Sequence, residues 1–155
     1  ELGANLMTTL GPDPAPLYIE TLKSLGKDPA SFKIAQLRMV YCAENEDQAW
    51  ADTQEHLWHV FGYYARVLSE AADVEGDDVA LPINGPEDIR HSALAQTSVL
   101  IGTPDQVAEK IEQFCNAYTC TDFILSSHFA GMDPKKSGAS NALFARYVMP
   151  RFTNA

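Results

Sequence analysis

Residues 98–127 contain an apolar run, a capped helix and a second apolar run, and this order constrains the fold more than any other part of the chain. The first run stops at Gly102, and Thr103 is a residue type that caps helix N-termini. Pro104 suits the first helical position, where its missing N–H would have no partner, and Gln106 completes a capping box. The pattern predicts that a helix begins here.

Apolar residues then recur at helical spacing along one side of this predicted helix: Val107, Ile111, Phe114, Cys115 and Tyr118. The run Phe123–Leu125 that follows is too short and too uniformly apolar for an amphipathic helix. Such a run is typical of a strand that is buried on both faces, as in a parallel sheet. The stretch therefore predicts half of an α/β unit.

The remaining chain alternates in the same way. We predict strands at 6–10 and 33–42, helices at 17–25 and 46–68, and a last helix at 140–149. Asn45 is the predicted cap of the longest helix, and Glu46 and Asp47 lie in its first turn, where the helix dipole favours negative charge. Strands that alternate with helices predict a parallel sheet, because parallel neighbours need crossover connections.

Between residues 69 and 96 the periodicity fails, and acidic residues mix with glycine and proline. Long stretches without secondary structure are uncommon in compact domains and often serve as lids or binding loops. A surface insertion explains the same composition, so a lid and an insertion both stay open as interpretations.

The number of predicted strands bears on the domain organisation. Three strands with four helices would form a small sheet with two open edges, which proteins rarely leave uncovered. A doubly wound sheet is complete in itself, whereas a barrel needs about eight strands to close. We therefore predict an α/β fold in which residues 1–155 form a single partial domain, with a long loop at about 69–96, that belongs to a larger barrel.

The charge and the cysteines limit the partners and the compartment. The formal net charge of −10 disfavours nucleic acid and anionic membrane surfaces, since both require a positive face. The three cysteines lie in apolar settings, which is typical of a reducing compartment. The sequence shows no signal peptide and no apolar run long enough to span a bilayer. We expect a cytoplasmic protein that binds neither nucleic acid nor membranes.

Several segments together resemble the C-terminal part of the bacterial-luciferase-like flavin-dependent monooxygenases. They are Met39–Glu44 followed by Ala49, Ile101–Ile111, Asp122–Leu125, His128–Met132 and Leu143–Phe152. The resemblance covers nearly the whole chain, and the pairing of the Gly-Thr-Pro helix start with the Val-Met-Pro ending at this spacing is fairly specific. It implies a TIM (β/α)8 barrel of which this chain is the C-terminal portion, about three βα units.

The resemblance also implies a chemistry. It implies a two-component monooxygenase in which a separate flavin reductase supplies reduced flavin (FMN), and dioxygen oxidises a small apolar substrate. Most cofactor contacts in that family come from strands that would lie before Glu1, so we expect this chain alone to be inactive. An F420-dependent hydride-transfer enzyme of the same fold and a non-catalytic barrel subunit are the alternatives. We also expect a homo-oligomer.

Candidate site residues follow the last predicted strand, because barrel enzymes place their sites where strands end and loops begin. We predict that Ser127, His128, Phe129, Gly131 and Met132 form part of the rim of the flavin or substrate site. Gly131 would let the backbone approach a ring closely, and Phe129 and Met132 would supply apolar contact. A plain turn before the last helix explains the same residues. No catalytic residue is assigned.

The remaining histidines and cysteines are weaker candidates for a functional site. His56 and His59, with Asp52 one turn earlier, lack the third strong ligand of a zinc site, so we predict no metal centre. Cys115 and Cys120 have a spacing that fits neither a metal site nor a redox pair.

Overall fold

The structure is a computed structural model, and it describes residues 3–9, 13–70 and 84–153. The described residues form four strands, β1 (Leu6–Thr8), β2 (Ile34–Cys42), β3 (Val99–Gly102) and β4 (Asp122–Ser126). They also form the α-helices α1 (Ala15–Ser24), α2 (Glu46–Glu70), α3 (Ala93–Ser98), α4 (Pro104–Ala117) and α5 (Pro134–Leu143). Short 3₁₀ helices lie at Pro29–Ser31, Pro86–His91 and Met149–Arg151, and a π-helix at Phe144–Val148 continues α5.

The strand β2 lies at the centre of the sheet and pairs in parallel with β1, β3 and β4. Ala35 and Gln36 of β2 pair with both β1 and β4, so these two strands flank β2 on opposite sides. The last four residues of β2 pair with β3. The prediction of a parallel sheet is confirmed, but the predicted number of strands is wrong. The short run that ends at Gly102 forms a further strand, because all four of its residues are buried beside β2.

One face of the sheet is covered by α4 and α5. Val40 and Cys42 of β2 pack there against Val107 and Ile111 of α4. The backbone N–H of Cys42 donates a hydrogen bond to Ser140 Oγ of α5 at 2.8 Å. This buried contact fixes the height of α5 along β2.

The opposite face is covered at one end only by the described elements. At the carboxyl end of β2, the α2 residues Leu57 and Phe61 pack in one cluster with Tyr41. Nearer the other end, Met7 is 62% exposed and Ile124 is 39% exposed. The prediction that β4 is buried on both faces is therefore wrong, since no described helix lies over Ile124. In a TIM barrel the helices surround the sheet, so this open face is the one that corresponds to the barrel interior.

The predicted starts of the two long helices are confirmed. Asn45 Oδ1 accepts a hydrogen bond from the N–H of Gln48 at 2.8 Å, which caps α2. Thr103 and Gln106 form the capping box of α4. Gln106 Nε2 also donates to Glu46 at 2.9 Å, so the first turns of α4 and α2 are joined.

The last helix begins earlier than the predicted Ser140. Asp133 caps α5 by accepting a hydrogen bond from the N–H of Lys135 at 2.9 Å, and Pro134 occupies the first turn. The sequence contains this Asp-Pro signal, but the glycine and lysines that follow it hide the helical periodicity.

The predicted loop at 69–96 contains more secondary structure than the sequence indicates. The helix α2 extends to Glu70, residues 71–83 lie outside the described residues, and helical segments occupy 86–91 and 93–98. Ile89 is 1% exposed and Ala95 is 2% exposed, and both join the cluster beneath α2. Arg90 binds Glu46 and Asp47 at 3.0 and 2.7 Å. These contacts anchor residues 84–98, whereas the lid stays a prediction.

Candidate active site

A cleft of about 390 Å³ lies where the open face of the sheet meets α2. Met39, in the carboxyl-terminal half of β2, is the register partner of Ser126, the last residue of β4, and both line the cleft. The α2 residues form its second wall, and the chain after β4 forms its third. The full lining is Met39, His59, Val60, Tyr63, Tyr64, Ser126, His128, Phe129 and Ala130. The cleft thus lies at the strand ends, where parallel barrels hold their sites.

The structure brings part of the predicted rim to this cleft. His128 and Phe129 line it, whereas Ser127, Gly131 and Met132 are outside its lining. Phe129 is 2% exposed and Met132 is 4% exposed, because both side chains pack in the cluster beneath α2. Phe129 therefore contributes to the core and to the cleft wall at once.

The α2 wall of the cleft is the part that sequence reasoning missed. Tyr64 has the helical spacing of the buried residues Leu57 and Phe61, yet it is 56% exposed, as is Tyr63. His59 lies beside them on the cleft and was considered only as a metal ligand. A signal was present in the adjacent tyrosines, since neighbouring helix positions lie about 100° apart and one of the two therefore lies at the margin of an apolar stripe or beyond it.

The turn after β4 is fixed by backbone conformation and by a contact with α2. Gly131 has φ +81°, a left-handed conformation that side chains rarely adopt. The N–H of Met132 donates to the carbonyl of Phe129 at 3.0 Å, which closes the turn. His56 Nδ1 lies 3.1 Å from the carbonyl oxygen of Ala130. The turn is therefore held to α2, and His56 serves this contact.

His128 is oriented by the helix that follows it. Its Nδ1 lies 2.6 Å from Ser137 Oγ of α5, and Ser137 is 5% exposed. The imidazole is itself exposed and lines the cleft.

A buried carboxylate beneath the site joins three elements. Asp52 of α2 accepts hydrogen bonds from Tyr41 at 3.0 Å, Gln48 at 2.9 Å and Lys136 at 2.5 Å. Burial by itself raises the pKa of Asp52, but the hydrogen bonds from Lys136, Tyr41 and Gln48 outweigh it, so the pKa lies below its usual value. The pKa of Tyr41 is raised, first by burial and then by the bond to Asp52. The anionic carboxylate therefore fastens α2 and α5 to β2.

The cysteines lie away from the cleft. Cys115 and Cys120 line a second groove, of about 410 Å³, between α4, β4 and the end of the described chain. Burial raises the pKa of Cys120 to about 11 and that of Cys42 to about 12, so neither is an activated thiol.

Within residues 3–9, 13–70 and 84–153, no three His, Cys, Asp or Glu side chains are grouped to hold a metal ion. In the same ranges, no helix combines the length and apolar character needed to cross a bilayer.

The sequence matches the luciferase-like monooxygenase family over residues 7–119, which is more than half of the chain. The chain therefore belongs to this family, as its residues predict. None of the curated proteins compared with it matches.

Solved structures of similar fold include three oxidoreductases. Monooxygenase RslO1 from Streptomyces bottropensis is 18% identical with a TM-score of 0.65, and the match covers 97% of this chain and 43% of that one. The oxygenating constituent of 3,6-diketocamphane monooxygenase from the CAM plasmid of Pseudomonas putida, in complex with FMN, is 20% identical with a TM-score of 0.60; 88% and 38% are covered. The F420-dependent tetrahydromethanopterin reductase from Methanopyrus kandleri is 20% identical with a TM-score of 0.56; 89% and 41% are covered.

The chain thus spans less than half the length of each of these proteins. Together with the parallel sheet and its open face, this confirms the prediction of a partial luciferase-like barrel.

Proposed function

We propose that this chain supplies one side of the active site of a flavin-dependent oxidoreductase, namely a two-component monooxygenase that uses reduced FMN and dioxygen on a small apolar substrate. The observation that carries the proposal is the aromatic cleft at the carboxyl ends of β2 and β4. Such a cleft suits a flavin-type cofactor, because apolar and aromatic side chains pack well against a planar ring.

The residues present fit one wall of a flavin site. Tyr63, Tyr64 and Phe129 would contact the planar ring, and Met39 would pack below it from the sheet. When bound, reduced flavin supplies the electrons and the reactivity toward dioxygen. The task of this chain is then to orient the ring and keep water from it.

The remaining predicted rim residues act at this boundary in the proposal. In the proposal, Ser127 and Gly131 meet the ring or the substrate from the turn, although both are outside the lining of the cleft, and Met132 supports that turn from the core. His128 faces the cleft directly. A lid within the predicted loop at about 69–96 is part of the same proposal.

The proposal also includes partners. One similar protein is an oxygenating constituent, which supports a separate flavin reductase for the present protein as well. A homo-oligomer and a barrel completed by further strands are part of the same proposal, because the open sheet face requires a partner.

The choice between FMN and F420 is open to a direct test. The complete protein, expressed with any flanking sequence of its gene, is mixed with each cofactor in its reduced form and an aldehyde substrate, and oxidation of the aldehyde is followed beside a protein-free sample. Aldehyde oxidation above the protein-free level with reduced FMN, and none with reduced F420, is expected. No oxidation above that level with FMN, together with hydride transfer by F420, would instead support the F420 enzyme. The 155-residue chain alone, as the control, should show no turnover.

A further inference from the structure

The contact between His128 and Ser137 gives the cleft a polar group of defined orientation. We propose that Ser137 holds His128 so that the Nε2 N–H of the ring donates a hydrogen bond to a carbonyl oxygen of the ligand in the cleft. The inference rests on the proposed function and assigns a ligand-binding role to His128 and a positioning role to Ser137.

The direction of the hydrogen bond follows from the surroundings of Ser137. Its hydroxyl has one proton and two acceptors in reach, His128 Nδ1 at 2.6 Å and the carbonyl oxygen of Asp133 at 3.4 Å. That carbonyl already accepts the N–H groups of Lys136 at 3.0 Å and Ser137 at 3.3 Å. In the proposal the hydroxyl donates to Nδ1, which is the nearer acceptor, because the carbonyl oxygen already accepts two N–H groups.

This arrangement selects one tautomer of the neutral ring. With Nδ1 accepting from Ser137, the ring proton resides on Nε2, which is the nitrogen left to serve a ligand. The other titratable groups on the cleft are His59, Tyr63 and Tyr64 of α2, and all three are exposed. A donor held among apolar and aromatic walls is the kind of group that orients a ligand in such a site.

The position of Ser137 is itself set by its helix. Ser140, one turn further along α5, accepts from the backbone N–H of Cys42 at 2.8 Å. Lys136 binds the buried Asp52 at 2.5 Å. Two contacts to separate elements thus hold the turn of α5 that carries the hydroxyl, so His128 is oriented by a fixed group.

A carbonyl oxygen has two possible sources in this cleft, the flavin ring and an aldehyde or ketone substrate. Binding of FMN alone reports on the first source. Binding of decanal compared with decane by the FMN-loaded protein reports on the second, because these probes differ only by the carbonyl group. If replacement of His128 weakens the binding of FMN, or reduces the preference for decanal over decane, the inference is supported. The measurement that changes identifies the source of the carbonyl oxygen.

Two substitutions at His128 separate the ring nitrogens. His128→Asn keeps a polar atom near the position of Nδ1 but cannot reach that of Nε2, whereas His128→Gln reaches the Nε2 position. In the complete protein, H128N is expected to weaken the affected binding constant about three- to tenfold, and H128Q by less. Equal binding of FMN by the wild type and H128N, with an unchanged preference for decanal over decane, would overturn the role of His128.

The role of Ser137 is tested on the ring itself. Long-range ¹H–¹⁵N spectra of the complete protein, in which the His128 signals are those missing from H128N, report which nitrogen carries the proton. Ser137→Ala should move both signals toward the average of the two tautomers, and Ser137→Thr should restore them. Thr103→Ala is the control: it removes a hydroxyl at the start of α4 that accepts a hydrogen bond outside the cleft, and it should leave the ring signals unchanged. Unchanged signals in S137A would overturn the positioning role.

The outcomes distinguish this inference from the proposed function. If the wild-type protein binds no FMN, the proposed function fails, and with it the ligand role of His128. If the wild type binds FMN, and H128N binds FMN equally well with the same preference for decanal over decane, only the inference fails.

Discussion

Asp52 shows how burial and pairing oppose each other at a single side chain. Removal from water disfavours a carboxylate, yet three donors from Tyr41, Gln48 and Lys136 keep it ionised. Hydrogen bonds to a charged group are stronger than neutral ones, so this carboxylate contributes to the packing of α2 and α5 on the sheet.

Asp52→Asn should lower the free energy of unfolding at neutral pH by about 2 kcal/mol, since bonds to a charged acceptor become neutral ones. The folded-state pKa of Asp52 is depressed, so its stabilisation is complete above the unfolded pKa of about 3.9 and is lost as the pH falls through the folded pKa. Urea titrations of the wild type and D52N at neutral pH and near pH 3 measure the free energy of unfolding. The difference between the two proteins should be smaller near pH 3.

The control for this prediction is Asp105→Asn. Asp105 binds Arg151, but both side chains are exposed, so its loss should cost less than about 1 kcal/mol. If the free energies of unfolding of D52N and the wild type differ by the same amount at both pH values, the charged state of Asp52 is contradicted.

Gly131 and Gly138 form a matched pair for the backbone of the turn and of α5. Gly131→Ala should destabilise the protein by about 1 kcal/mol, because φ is +81° there while the new Cβ would have only ordinary contact with His56. At Gly138 the new Cβ of an alanine would lie in open space on α5, so Gly138→Ala should raise the free energy of unfolding by roughly 0.5–1 kcal/mol. Thermal unfolding of both variants measures this, and a stabilising G131A would be evidence against the turn.

Among the elements, α4 is the one whose sequence signals and structure agree most fully. Its cap and first-turn proline are as predicted, and Val107, Ile111 and Phe114 of the predicted stripe are buried. Cys115 is exposed and Tyr118 is the residue that follows the helix, so the stripe is shorter than predicted. Such signals are local, and a local signal acts before any tertiary contact forms. The loop predicted at 69–96 is the opposite case, since Ile89 and Ala95 pack in one cluster with residues of α2 that are distant in the sequence.

Thr103→Ala should lower the free energy of unfolding by about 1 kcal/mol, because the side chain of Thr103 accepts the hydrogen bond from the N–H of Gln106 at 3.3 Å. Thr103→Ser keeps the accepting oxygen and should stay close to the wild type. Chemical denaturation compares the two. Equal losses in both variants would mean that the methyl group of Thr103, and not its hydroxyl, stabilises the start of α4.

At the scale of the whole molecule, the described residues form a sheet that they cover on one side and leave mostly open on the other. The open face is apolar at Met7, Leu37 and Ile124, and exposed apolar surface next to unpaired strand edges favours association. This is the property that makes the described chain part of a barrel instead of a finished sheet.

The 155-residue chain on its own should therefore self-associate, as measured by sedimentation velocity. Ile124→Lys places a charge on the open face and should reduce the association. Leu17→Lys is the control, since Leu17 is 69% exposed on the helix α1 and is not part of the sheet. A monomeric wild-type chain would contradict an adhesive open face, and equal effects of both lysines would show that net charge alone is responsible.

The amino-acid sequence by itself determined the parallel α/β class, the caps of α2 and α4, the family and the end of β4 as a candidate site. These properties depend on residues close together in the chain, whose spacing and hydrogen-bonding capacity are visible in the sequence. Only the tertiary structure decided that Met39, Tyr63 and Tyr64 meet His128 in one cleft, and that Ser137 orients this histidine. Such contacts join residues from separate elements, and their positions depend on how α2 and α5 pack on the sheet.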